Sequence, residues 1–468
     1  MQEQRLTVKQ KLGFGIFDLG GNLFFTLMLF WTLKYLTDTV GIAAIWAGTA
    51  VMIGKVWDAV TDPLMGFITD RTLSRWGRRR VYLLFGAIPM CLSMFFFFSA
   101  PEYLPASWHI VWAIFALMLL NTAATIINVP YSSLTPELTS DYNEQSSLNG
   151  YRFGCAAFGT LIGAGAVQPL VAMFAHKSAV DPLVDKQGFS LMGLAFGALI
   201  MIVTLITFFG TKEKPCRKED LPTGGFFETF LAVFKNKPYV FLLMTYALHI
   251  TGITFITTIL AYYTENVLNR SDINSFASAL LKLPLDITTV AMLLLLLTAM
   301  LCIPVSVLVS KYLGKKRTYQ ICFVVLGIAC AVLYLFGHRM SVDAFFLVMI
   351  FAGIGVGFSY VAPFAMVPDA ISAGAPESER RNEGAYYGIW TFISKSGTAI
   401  ALFVAGIILQ TGGYISQSGE TIATQPDSVV NAIRIIIGPI PVVVLAFAIV
   451  VVQFYPLDKQ GSSKGTDL

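Results

Sequence analysis

Long apolar stretches recur along the whole chain, separated by short polar segments. A helix needs roughly 20 mostly apolar residues to cross a bilayer, and twelve windows of that kind can be placed. The pattern predicts an all-α membrane protein with twelve transmembrane helices. The first stretch is longer than a signal-peptide core, and we expect it to be retained as a helix. The predicted spans are 12–36, 45–69, 80–99, 109–133, 148–174, 189–209, 239–264, 287–310, 319–337, 343–366, 384–411 and 432–455.

The longest polar connector lies between the sixth and seventh spans and divides the chain into halves of similar size. This division predicts two bundles of six helices each. The expected organisation is an amino-terminal bundle over 1–209, a central cytoplasmic loop over 210–238, a carboxy-terminal bundle over 239–455 and a cytoplasmic tail over 456–468.

Basic residues concentrate in every second connecting segment, as at 78–80 and 315–317. By the positive-inside rule this bias places both termini in the cytoplasm. The chain of 468 residues is 56% hydrophobic and carries a net charge of +4, and the orientation signal accounts for that excess. We therefore expect membrane lipids, and no nucleic acid, as surroundings.

The two halves resemble each other weakly. Gly77-Arg78-Arg79-Arg80 precedes the third span, and a similar basic segment at 311–317 precedes the ninth. Two six-helix bundles related by an axis along the membrane normal, as in the major facilitator fold, would produce this pattern. The alternative, that short cytoplasmic loops are basic in any case, remains open.

Two acidic residues lie near the middle of the second span. Asp58 and Asp62 are four residues apart and share one helical face, with Lys55 one turn earlier on nearly the same face. A charge at bilayer depth costs about 2.5–3.5 kcal/mol and needs a partner or a function. Two adjacent carboxylates repel each other unless a cation lies between them, which favours an Na⁺ or H⁺ site. The alternative is a purely structural pairing with Lys55 and another basic residue.

A lysine lies deep in the eleventh span. Lys395 is about eleven residues from the predicted cytoplasmic end, too far in to extend easily to water. The acidic pair at Asp58 and Asp62 is the expected counter-charge across the two halves. We expect a coupling role for Lys395 and, by charge balance, for Lys55; a packing role for Lys395 is the alternative.

Further polar residues lie in the first, fourth and fifth spans. Neutral amides, hydroxyls, an acid and an arginine in an otherwise apolar wall suit a hydroxyl-rich substrate. Hydrogen bonding between helices is the alternative for the threonines and the amide of the fourth span. The residues concerned are Asp18, Asn22, Thr122, Thr125, Asn128, Ser132 and Arg152.

Catalytic signatures are missing from the sequence. Gly353-Ile354-Gly355-Val356-Gly357 superficially matches a nucleotide-binding loop, but it lies inside an apolar span and follows no strand. Close helix packing is the better interpretation. With no nucleophile triad, metal-ligand cluster or phosphate loop, we expect no enzymatic activity and no cofactor.

Several of these motifs together resemble the glycoside-pentoside-hexuronide cation symporters, the melibiose permease-like family of the major facilitator superfamily. The resemblance covers nearly the whole chain. It is carried by the segments 57–66 (WDAVTDPLMG), 75–78 (RWGR), 128–134 (NVPYSSL) and 236–238 (NKP), and by Lys395.

The resemblance implies a secondary active transporter that couples sugar, glycoside or hexuronide uptake to Na⁺ or H⁺ by alternating access. It implies a bacterial inner-membrane location and a monomer. The family's cation site falls on Asp58, Thr61, Asp62 and Thr125, with Na⁺ on the two aspartates if sodium couples. Its substrate residues fall on Asn22, Asn128, Ser132, Arg152, Thr391 and, more loosely, Tyr360.

The match departs from the members that carry melibiose. Those members have aspartates at the positions of Asn22 and Asn128, so melibiose is not the expected substrate and hexuronides or other glycosides are favoured. Asp18 is a candidate replacement for the lost acceptors. Related animal transporters of lysophosphatidylcholine match the motifs of the second and fourth spans equally well, so a cation-coupled lysolipid transporter of the same fold remains the alternative.

Overall fold

A computed structural model describes residues 6–134, 138, 142–177, 181–213, 233–268, 285–374, 383–416 and 425–457. The described part of the chain is helical and contains no strand. It divides into two compact units. Unit 1 comprises Met1–Thr223 with Tyr414–Thr424, and unit 2 comprises Gly224–Gly413 with Gln425–Leu468. The division at 223 falls inside the connector predicted over 210–238.

Unit 1 contains eight of the described helices. They are α1 (Val8–Gly15), α2 (Phe17–Lys34), α3 (Ala44–Arg71), α4 (Arg80–Phe98), α5 (Ala106–Ser132), α6 (Tyr142–Gly165), α7 (Val167–Phe174) and α8 (Lys186–Gly210). Helices α1 and α2 form one span that ends in a π-helical turn at Tyr35–Thr39. Helices α6 and α7 are bent by 49° at their junction and correspond to the predicted fifth span.

Unit 2 contains a further eight of the described helices. They are α9 (Lys237–Asn266), α10 (Ile287–Leu313), α11 (Lys315–Phe336), α12 (Val342–Ser359), α13 (Ala362–Gly374), α14 (Glu383–Thr411), α15 (Asp427–Ile437) and α16 (Pro439–Gln453). Helices α12 and α13 together form one span, and so do α15 and α16.

Ten spans among the described residues are long and apolar enough to cross a membrane, and the bent α6–α7 pair makes an eleventh. Helix α3, the predicted second span, is the remaining long helix. Its 28 residues exceed the roughly 20 that a bilayer requires. Its mean hydropathy is lowered by Lys55, Asp58 and Asp62. The residues that suggest a function are therefore the ones that make this helix less apolar than the other spans.

The helix pairings repeat between the units. In unit 1, α2 packs on α6, α3 on α5, and α4 on both α5 and α8. In unit 2, the corresponding α9 packs on α14, α10 on α12, and α11 on both α12 and α16. This correspondence supports the two-bundle organisation that the sequence predicts.

Glycines allow two of these pairings to be very close. A Cβ atom at Gly159 would lie 2.0 Å from the Leu19 carbonyl oxygen, and one at Gly163 would lie 2.6 Å from that of Leu23. In unit 2, Gly353 and Gly357 lie in the same way against α10. The packing interpretation of the glycine-rich segment at 353–357 is therefore confirmed.

A buried ion pair lies at the end of α2. The Lys34 ammonium lies 2.7 Å from Asp38 Oδ2, and both side chains are almost inaccessible to solvent. Asp38 Oδ1 also accepts hydrogen bonds from the hydroxyls of Thr37, at 2.8 Å, and Tyr414, at 2.5 Å. Tyr414 is thereby fixed to the end of α2.

Candidate functional site

The acidic pair of α3 faces one hydroxyl of α5. Asp58 is buried and Asp62 is partly buried, and they lie one turn apart as the sequence predicts. Thr125 Oγ1 lies 3.0 Å from Asp58 Oδ1 and 2.8 Å from Asp62 Oδ1. Helices α3 and α5 thus bring three side-chain oxygens together within one unit.

The hydrogen count at this cluster is informative. A threonine hydroxyl has one hydrogen, which it gives to one acceptor or shares between two in a weaker three-centre bond. With both carboxylates ionised, that single hydrogen offsets only part of the repulsion between them. A proton on one carboxyl, or a cation among the oxygens, removes that repulsion. These three oxygens could therefore bind either H⁺ or a hard cation such as Na⁺.

Lys55 and Thr61 lie beside this cluster in different ways. The Lys55 ammonium is 4.0 Å from Asp58 Oδ2, the limit of an ion pair, so it compensates Asp58 only in part. The Thr61 hydroxyl donates to the backbone carbonyl of Asp58 at 3.3 Å. Its oxygen remains an acceptor close to the acidic turn, although no contact with a carboxylate is described.

Two further contacts hold α3 against α5. The Trp57 indole N–H donates to the Thr122 hydroxyl at 2.9 Å, and the Asn121 amide donates to the Gly54 carbonyl at 3.0 Å. Thr122 therefore forms the interhelical hydrogen bond that was the alternative to a substrate role. These bonds fix the register in which Thr125 faces the acids.

A second polar cluster joins α2, α5 and α6. Arg152 donates from Nε to Asp18 Oδ2 at 2.7 Å, and its Nη2 lies 3.4 Å from Oδ1. Tyr131 donates to the same Oδ2 at 2.5 Å, and its ring lies under the guanidinium at 4.9 Å. Asp18 is thus engaged by two donors and does not simply replace the acceptors missing at Asn22 and Asn128.

The two asparagines lie close to that cluster in sequence. Asn22 donates its amide to the Asp18 carbonyl and Asn128 to the Ala124 carbonyl, each at 2.9 Å. The side-chain oxygens are not used in these bonds and can accept. Ser132 is exposed, and its hydroxyl donates to the Val129 carbonyl at 2.9 Å. These three side chains carry polar atoms for a ligand without a formal charge.

The remaining predicted residues lie in unit 2. Tyr360 and Thr391 are exposed, and the Thr391 hydroxyl donates to the Tyr387 carbonyl at 3.0 Å. Lys395 is partly buried in α14. The pairing of Lys395 with Asp58 and Asp62, which lie in unit 1, stays a prediction.

Sequence reasoning missed Tyr131. Its phenol, in the segment Pro130-Tyr131-Ser132-Ser133, is almost fully buried and is a third member of the Asp18–Arg152 cluster. Asp18 and Arg152 had each been assigned to the substrate but not to each other. A tyrosine between a helical proline and two serines, in a span that also carries amides, was the available signal.

Comparison with known proteins gives the family. A proposed sulfoquinovose importer of Escherichia coli K12 is 27% identical over 86% of this chain and 82% of its own length. The isoprimeverose transporter of Lactiplantibacillus pentosus is 24% identical over 86% and 80%. The crystal structure of a mutant of the nucleoside transporter NupG has the same fold, with a TM-score of 0.63 at 15% identity over 95% of this chain and 98% of that one.

These relatives are transporters and importers rather than enzymes, in line with the absence of a catalytic signature in the sequence. The family model described as MFS/sugar transport protein matches residues 13–459, nearly the entire chain. The chain belongs to this family of multi-pass membrane sugar symporters.

Proposed function

We propose that this protein couples the uptake of a glycoside or acidic sugar to the entry of Na⁺ or H⁺. The observation that carries the proposal is the position of the Thr125 hydroxyl between the carboxylates of Asp58 and Asp62. Those residues would hold the coupling ion. The ion supplies the positive charge that lets both carboxylates approach one hydroxyl.

The proposed sugar site uses the second polar cluster. The Arg152 guanidinium lies against Asp18 through Nε and Nη2, and it is the cationic group that we assign to a carboxylate or sulfonate on a sugar. The amide oxygens of Asn22 and Asn128 suit neutral hydroxyls. The similarity to a proposed sulfoquinovose importer of Escherichia coli supports an anionic sugar, whereas the similarity to the isoprimeverose transporter supports a neutral glycoside.

The test is uptake into proteoliposomes from a panel of neutral glycosides, hexuronides, a sulfonated sugar and lysophosphatidylcholine. Each substrate is supplied with an inward Na⁺ gradient, with a proton gradient or with neither. The proposal expects one or more sugars to accumulate only when a gradient is present. The proposal is contradicted if only the lysolipid is transported, or if sugar uptake is the same with and without either gradient.

We also infer that both termini face the cytoplasm of a bacterial inner membrane and that the working unit is a monomer. The distribution of basic residues supports the orientation. A carboxy-terminal fusion to green fluorescent protein is expected to fluoresce, and one to periplasmic alkaline phosphatase to be inactive. The opposite pair of results reverses the orientation. Two-colour single-molecule counting in liposomes tests the monomer.

A further inference from the structure

The carboxylate of Glu213 lies against three consecutive backbone amides at the start of α4. Oε1 accepts from the amides of Arg78 and Arg79 at 3.1 and 3.2 Å, and Oε2 accepts from those of Arg79 and Arg80 at 3.0 Å each. Glu213 is three residues beyond the end of α8, at the beginning of the central connector. A negative charge is favoured at a helix amino terminus, where amides have no partner within the helix.

Gly77 makes this approach possible. Its φ of +100° lies in the region that glycine adopts most readily. A Cβ atom at this position would lie 2.2 Å from Glu213 Oε2 and 2.7 Å from its carboxyl carbon. The glycine therefore both turns the backbone amides toward the carboxylate and leaves room for it.

Glu213 binds the backbone amides of Arg79 and Arg80, and the side chains of these two arginines contact other helices. Arg79 donates from Nη1 to the carbonyl of Ser133, at the end of α5. Arg80 donates from Nη2 to the carbonyl of Phe208, in the last turn of α8. Carbonyls at helix ends lack partners within the helix, and cationic side chains near them are stabilising. Arg79 and Arg80 thus link the start of α4, where Glu213 binds their backbone amides, to the ends of α5 and α8.

Unit 2 contains a similar pair of cationic contacts, although Ala365 lies in the first turn of α13 rather than at a helix end. Lys315, next to Gly314 with a φ of +90°, donates to the Ala365 carbonyl of α13 at 2.8 Å. Lys316 donates to the Gln453 carbonyl at the end of α16, also at 2.8 Å. The cationic pair thus belongs to the repeated architecture. In unit 1 the backbone amides of the cationic segment also bind the carboxylate of Glu213.

We propose that Glu213 is a positioning residue for transport. By holding 78–80, it fixes Arg79 against the end of α5, the helix that carries Thr125 and Asn128, and Arg80 against the end of α8. The contacts of Glu213 described above are with the backbone amides of 78–80, at the start of α4. Its removal therefore leaves the affinity for sugar nearly unchanged and slows the conformational step that follows binding. The proposal rests on transport as the function, but it does not depend on which sugar or cation is used.

Two measurements on Glu213→Gln test this. The amide can present only one acceptor oxygen where the carboxylate presents two. We expect the maximal uptake rate to fall at least fivefold while KM stays within twofold, and hydrogen exchange of the amides of 78–80 to speed up at least tenfold. Glu102→Gln, which removes an exposed carboxylate elsewhere in unit 1, is the matched control and leaves both readouts unchanged.

A second variant tests the same contact from the other side. Gly77→Ala displaces the carboxylate, so the double variant Gly77→Ala/Glu213→Gln is expected to be no slower than the more impaired single variant. If Glu213→Gln does not reach the membrane, Glu213→Asp, which keeps the charge but is shorter by one methylene, is measured instead. Wild-type exchange at 78–80, or a change in KM as large as that in maximal rate, overturns the proposal. The exchange measurement needs no substrate, so its result is separate from failure of the proposed sugar symport.

Discussion

One threonine hydroxyl lies between two carboxylates where α3 packs on α5. Thr125 lies within hydrogen-bonding distance of both Asp58 and Asp62 and has one hydrogen for the two carboxylates. In the proposed site, the coupling ion would contact this threonine as well as the two acids. Thr125 should consequently matter for cation affinity even though it carries no charge.

We predict that Thr125→Val weakens the apparent affinity for the coupling cation about tenfold, which corresponds to about 1.4 kcal/mol. Valine keeps the shape of threonine but removes the oxygen. Initial uptake rates measured against cation concentration give the affinity, and saturating cation restores most of the rate. Thr49→Val, on the same helix as the two acids and with a hydroxyl that donates to the Ile45 carbonyl, serves as the control. An unchanged cation dependence removes Thr125 from the site.

Arg152 illustrates why two basic residues are not equivalent. Its guanidinium meets both oxygens of Asp18, an arrangement that a lysine ammonium cannot reproduce. We predict that Arg152→Lys weakens binding of an acidic sugar about tenfold, or about 1.4 kcal/mol, with little effect on a neutral one. Competition assays with both sugar types measure this.

Arg434→Lys is the control for that substitution, because Arg434 also stacks on a tyrosine and donates to a backbone carbonyl. It should leave both sugars unaffected. Equal losses for acidic and neutral sugars in Arg152→Lys contradict the assignment of Arg152 to an anionic group.

The residues of the candidate site differ in how far sequence could predict them. Asp58 and Asp62 follow from a spacing of four on one helix, a local rule. The pairing of Asp18 with Arg152 depends on close packing of α2 on α6 at Gly159 and Gly163, across 134 positions of sequence. Nothing in the local pattern specifies that packing.

At the scale of single elements, the apolar pattern predicted where helices cross the membrane better than where they break. The bend of 49° between α6 and α7, and the interruptions after Gly15 and Ser359, fall within predicted spans. Apolar periodicity measures burial and length, which a bent helix satisfies as well as a straight one. Breaks depend on packing with neighbouring helices, which a single sequence does not reveal.

The end of α2 provides a stability prediction. Asp38→Asn leaves Lys34 without its buried counter-charge, and breaking a buried pair costs about 3–5 kcal/mol. We expect a clear drop in the thermal midpoint of the purified protein. Asp369→Asn breaks a half-exposed pair with Lys315, where the cost is about 0–1 kcal/mol. Equal midpoints for the two variants would mean that the α2 pair contributes no more than a surface pair.

At the scale of the whole molecule, the sequence predicted a duplicated architecture from two basic segments. The structure extends that similarity to the helix pairings and to the cationic contacts at helix ends in each unit. Weak sequence similarity between the halves is expected when packing, rather than chemistry, is what the repeat conserves. The candidate functional residues, by contrast, differ between the halves, with the acidic pair in unit 1 and Lys395 in unit 2.

This asymmetry underlies the prediction for Lys395. If its charge responds to the cation state of Asp58 and Asp62, Lys395→Ala should impair gradient-driven uptake at least tenfold and change sugar binding less than twofold. Binding by calorimetry and uptake in proteoliposomes separate the two. Lys237→Ala, which removes an exposed lysine of the same unit, is the control. Equal loss of binding and uptake indicates a structural role for Lys395.

The most direct test of cation coupling is sugar accumulation against its own gradient. In proteoliposomes with the membrane potential held at zero, a tenfold inward gradient of the coupling cation stores about 1.4 kcal/mol, enough for about tenfold accumulation of a neutral sugar at one cation per sugar. We predict that the wild-type protein approaches this ratio and that Asp58→Asn and Asp62→Asn only equilibrate the sugar. Undiminished accumulation in both variants, at equal protein levels, contradicts the account.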